Sequence, residues 1–143
     1  MPADIVERCN TIEECYEFML AYAAQGLRSD EGGKSGGQIR EFLDRAVKAM
    51  SGFAESCATA LKQERWEPSE RYQAFFQVLV RDAHDSLAAI ELVLAQPTIS
   101  SQLIDNLNAS IHLRALLTDL FLVSEIVETQ RVAGSPEGLN SEK

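Results

Sequence analysis

The chain has 143 residues, 45% of them hydrophobic and 24% charged, a mix that fits one globular domain and excludes a disordered chain. Its 22 acids against 13 bases give a formal charge of −9, which argues against nucleic acid or anionic membrane as partners. No stretch approaches the ~20 apolar residues of a membrane span, and Met1-Pro2-Ala3-Asp4 lacks the basic and apolar run of an export signal, so a cytoplasmic location is expected.

Residues 4–9 are expected to form a short helical turn, with Ile5 and Val6 covering one end of a core. The first full helix is predicted from Thr11, where Thr11-Ile12-Glu13-Glu14 fits a capping box. Ile12, Cys15, Tyr16, Met19, Tyr22 and Ala23 then recur at helical spacing, and Gly26 is a good left-handed stop.

A polar loop begins near Leu27 and contains Gly32-Gly33-Lys34-Ser35-Gly36-Gly37. Its Gly-Lys-Ser triplet resembles part of a phosphate loop. However, Arg28 stands where that motif needs a glycine, and the preceding segment reads as helix rather than strand. A flexible connection is the better reading.

Ser35-Gly36-Gly37-Gln38 offers a second capping box and opens a helix over residues 37–63. Its apolar stripe runs through Ile39, Phe42, Leu43, Ala46, Val47, Met50, Phe53, Ala54, Cys57 and Leu61, with charges opposite. Pro68 suits the first position of a third helix, which runs to about residue 96 and is ended by Pro97. Tyr72, Phe75, Phe76, Leu79, Ala83, Leu87, Ile90, Val93 and Leu94 form its stripe.

Thr98 or Ser100 can cap a fourth helix that continues to residue 132 before Gly134 and Pro136. The predicted architecture is all-α: a single up-down-up-down four-helix bundle over residues 1–133, with a disordered tail over residues 134–143.

The fourth helix departs from a simple stripe. Leu103, Ile104, Leu107 and Ile111 share one face, whereas Leu113, Leu116, Leu120, Val123 and Val127 form a second, rotated away from it. A bundle helix needs one apolar face, so these five are expected at a subunit or partner interface. Along one flank of the same helix Asp105, Asn108, His112 and Asp119 line up, a possible acid–base or ligand site and otherwise a solvated rim.

Little chemistry is assembled elsewhere. Cys9, Cys15 and Cys57 have neither disulfide-framework nor zinc-finger spacing, and Cys57 lies on its helix's apolar stripe, the position of a small core residue. Di-iron bundles need Glu-x-x-His pairs, but Arg81 and Ala109 stand three residues before the two histidines, His84 and His112. His84 sits between Asp82 and Asp85 with no lysine one turn on, a poor place to carry a phosphoryl group. No metal and no cofactor is expected.

Residues 82–128 hold seven acids and one base, whereas residues 34–71 hold seven bases and six acids, so a basic partner would be favoured. The sequence therefore predicts a non-enzymatic protein–protein interaction module, an adaptor, chaperone-like or regulatory subunit, self-associating as a homodimer through its fourth helix. The alternative is a small-ligand or metal-binding bundle that uses the flank around His112.

Overall fold

In the computed structural model, which describes residues 2–133, the chain is all helical, with six helices and no strand among the described residues. They are α1 (Pro2–Ala24), α2 (Lys34–Ser51), α3 (Phe53–Glu64), α4 (Ser69–Leu94), α5 (Ser101–Ala109) and α6 (Ile111–Ala133). The expected tail over residues 134–143 lies outside the described residues.

Six helices stand where four were expected, and each difference has a local cause. The short N-terminal turn and the first helix are one element, because Ile5, Cys9, Ile12, Cys15, Met19 and Tyr22 form a single buried stripe through Thr11. Burial of that stripe outweighs the cap offered at Thr11.

The expected 37–63 helix is broken at Gly52, and the guanidinium of Arg8 from α1 lies over the break. Arg8 Nη1 donates to the carbonyls of Lys48 (3.2 Å) and Ala49 (3.0 Å), in the last turn of α2. Its Nε donates to Ser56 Oγ (2.9 Å) and Asp4 Oδ2 (3.2 Å), and the Ser56 hydroxyl donates to Asp4. A Cβ on Gly52 would run into that guanidinium, so a larger residue here would push the Arg8 side chain off these carbonyls.

A second arginine plays the same part at the end of α4. Arg40 of α2 donates to the carbonyls of Leu94 (3.0 Å), Gln96 (2.9 Å) and Pro97 (3.3 Å), where helix carbonyls run out of partners. Its Nε pairs with Asp30 Oδ2 at 2.7 Å, and Asp30 Oδ1 accepts the Ile99 N–H at 2.7 Å. Burial pushes the Asp30 carboxyl up, but the bonds from Arg40 and Ile99 outweigh it and hold it below its ordinary value.

The fourth expected helix is also two. Ser100 caps α5, its Oγ accepting from Leu103 N–H (3.0 Å), in agreement with one of the two expected caps. At Ser110 the backbone turns extended (φ −62°, ψ 142°), and Ser110 Oγ accepts from Leu113 N–H (3.3 Å) to start α6.

Packing is antiparallel wherever contacts fix it. Along α1 and α2, Arg8 meets Ala49, Glu14 pairs with Arg45 (3.3 Å), and Phe18 stacks on Phe42 at 4.1 Å. The C-terminal end of α1 is tied to α5: Tyr22 Oη donates to Ile99 O, Ser101 Oγ donates to Tyr22 O, and Asn108 Nδ2 donates to Met19 O. Helix α6 packs against α1 on one side and α4 on the other. The core between these elements holds Tyr22, Ile39, Leu43, Phe53, Leu79, Ile90, Ile104, Leu116 and Leu120 among others, and no helix among the described residues is long and apolar enough to cross a membrane.

Candidate functional site

Helices α4 and α6 run antiparallel along a seam whose register three contacts fix. Ser86 Oγ donates to the carbonyl of His112 (2.9 Å), Asp82 lies beside Asp119, and Tyr72, Phe75 and Phe76 face Val123, Ile126 and Val127. At this last level the helices leave a cavity of about 140 Å³ whose lining is apolar apart from Arg71. Its outer edge belongs to α6, where Ile126 is 37% and neighbouring Leu122 48% exposed.

Asp119 lies about two turns, some 10 Å, from Ile126 along α6. It is only 8% exposed, and its Oδ2 has no hydrogen-bond partner. Burial, then the neighbouring Asp82 carboxyl, raise the Asp119 carboxyl from an ordinary 3.8 to about 7. A carboxyl so placed keeps its proton more readily than an exposed one, since an ionised Asp119 would be buried next to a second acid. The seam is thus an apolar groove with a buried acid, Asp119, about two turns away, its carboxyl held well above its ordinary value.

Of the five residues expected at an interface, Val123 and Val127 form the floor of this groove, whereas Leu113, Leu116 and Leu120 do not line it. Leu113, Leu116, Leu120, Val123 and Val127 are each at most 2% exposed and belong to the core of the chain itself. Because α1 and α4 clasp α6 from two sides, a wide arc of the helix is covered without any second chain. The large apolar side chains that α6 does present are Ile111 (75% exposed) at its start and Phe121 (58%), Leu122 and Ile126 further on, with Ile126 in the groove beside α4 and Leu122 one turn from it.

The polar flank is not brought together either. Asp105 and Asn108 belong to α5, whereas His112 and Asp119 belong to α6, and the break at Ser110 ends the column that a continuous helix would have made. Asp105 is exposed beside Arg28, Asn108 is buried against α1 with its Oδ1 unpartnered, and His112 is exposed. Only Asp119 reaches a site, and its partner there is Asp82, which sequence spacing on one helix could not reveal. A lone Asp82 at helical spacing beside the α4 stripe was the available signal.

Other residues singled out from the sequence fall into structural places. All three cysteines are buried and free, and burial raises the Cys9 and Cys15 thiols to about 11 and the Cys57 thiol to about 12, far from a reactive thiolate. The Gly-Lys-Ser segment starts α2 rather than following a strand, and the chain before it folds back until Asp30 O would lie 2.2 Å from a Cβ on Gly36. His84 is exposed and lies 3.9 Å from Asp85. No group of three or more His, Cys, Asp or Glu side chains suited to a metal ion occurs among the described residues. No known protein family, curated protein or solved structure matches the chain.

Proposed function

We propose that the protein is a non-enzymatic protein–protein interaction module that docks another polypeptide on the α4–α6 seam. The observation that carries this reading is the outward apolar edge of Leu122 and Ile126 beside a groove walled by Tyr72 and Phe75. Contiguous apolar surface of this kind costs solubility unless something covers it, and grooves between helices are common places for a partner's apolar side chains. The scaffold is read as a bundle of four rods, with α2–α3 and α5–α6 each acting as one rod broken by a local bend. Such rods hold their outward faces rigidly, which limits the ordering cost of binding.

A photo-reactive residue substituted at Leu122, compared with one at Glu41 on α2, which does not pack against α6, tests the reading in the source cell. Discrete adducts at 122 and none at 41 are expected. Equal labelling at both positions, or none at either, refutes the seam as a docking face. An adduct of twice the chain's 15.8 kDa would identify the occupant as a second copy.

A further inference from the structure

The groove and the acid pair lie on one seam, about two helical turns apart, and call for different chemistry. Tyr72, Phe75 and Ile126 offer apolar contact. Asp82 is half-buried at the surface, with Asp119 behind it and its Oδ2 unpartnered. Among the described residues no lysine or arginine pairs with either carboxyl. Of the neighbouring ionisable groups, Arg81, His84 and Asp85 on α4 are exposed, the last two as a loose pair, and His112, Arg114 and Glu125 on α6 are exposed. Arg71 stands at the groove, about three turns of α4 from Asp82, so the acid end of the seam has carboxyls but no cation paired with them.

We propose that the seam takes one basic amphipathic helix of a partner protein, its apolar side chains in the groove of Tyr72, Phe75 and Ile126 and its lysine or arginine on Asp82. The inference rests on the docking reading above and adds to it the chemistry of the partner. A helix meets this spacing when its cation stands seven residues from its apolar anchor, about 10 Å along the axis. A second copy fits poorly: residues 82–128 carry seven acids and one base, so two such faces would bring like charges together.

Arrival of the cation has a consequence at the acid pair. An ammonium or guanidinium beside Asp82 also favours the ionised form of Asp119 behind it, so the proton on that carboxyl passes to the buffer. Binding is therefore linked to release of a proton when Asp119 starts protonated.

The probe is a helical model peptide with leucines on one face and a single lysine seven residues from the first, beside a twin with glutamine in place of lysine. Calorimetry at pH 6.5, in two buffers of different ionisation heat, gives affinity and proton release together. The lysine peptide should bind about tenfold more tightly than its twin, the scale of one charge-assisted hydrogen bond, and should release a proton. Asp82→Asn and Asp119→Asn, both isosteric and checked for an unchanged helical signal, should abolish the proton release, and Asp82→Asn should also remove the preference for lysine.

Equal binding of both peptides without proton release overturns the cation site and leaves the docking reading standing. Failure of both peptides to bind overturns the two together. A parent that sediments as a dimer, and is returned to monomer by Leu122→Asp, places a second copy in the groove and overturns the basic partner.

Discussion

Replacing Asp119 by asparagine keeps its shape but removes its titration. In the folded chain this carboxyl holds its proton up to about pH 7, whereas the unfolded chain releases it near 3.8. A folded-state value raised above the unfolded one means that the stabilisation is fully present below pH 3.8 and is lost as pH rises towards 7. The slope is about 1.4 kcal/mol per pH unit, so the full loss is on the order of 4 kcal/mol, and about 3 kcal/mol of it falls between pH 5 and 8. Urea unfolding followed by helical circular dichroism, on parent and Asp119→Asn at pH 5 and pH 8, reads this directly. The parent should lose about 3 kcal/mol relative to the variant across that interval. Asp4 and Asp30 do not interfere, because their carboxyls are lowered and titrate on the acid side, and they are common to both proteins. A parent–variant difference that stays constant within about 0.5 kcal/mol from pH 5 to 8 would refute the raised Asp119 carboxyl.

Adjacent glycines should respond with opposite signs. Gly36→Ala drives a Cβ against Asp30 O and should destabilise by about 1–3 kcal/mol, while Gly37→Ala, with open space around it, should stabilise by up to about 1 kcal/mol through helix propensity. Both are measured by thermal or urea unfolding, and equal effects would contradict the fold-back of the loop. Leu120→Asp should unfold the chain by burying an unpaired carboxylate in the core, whereas Phe121→Asp, one residue on and exposed, should leave its helical signal intact. Arg40→Met should cost about 1–3 kcal/mol by leaving the Leu94 and Gln96 carbonyls without their donor, read as a lower urea midpoint at unchanged slope.

Helix type and most buried faces were legible in the sequence, because a period of 3.6 residues is a local property of the chain. Ile39, Leu43, Ala46, Met50, Phe53 and Cys57 are buried as their spacing predicts, and so are Phe76, Leu79, Ala83, Ile90 and Val93. The Ser100 cap was legible for the same reason, since a hydroxyl and an N–H three residues on are all it needs. Neither break was. Gly52 reads as an ordinary interior glycine until Arg8, 44 positions earlier, lies across it, and Ser110 reads as an ordinary helix residue until its hydroxyl takes the Leu113 N–H. Nor could spacing say what covers an apolar stripe: Leu113, Leu116, Leu120, Val123 and Val127 suit a dimer contact or a core equally well. Their burial follows from α1 and α4 closing on α6 from two sides. The Asp82–Asp119 pair belongs to the same class of fact, since two acids 37 positions apart meet only once antiparallel packing sets the register of α4 against α6.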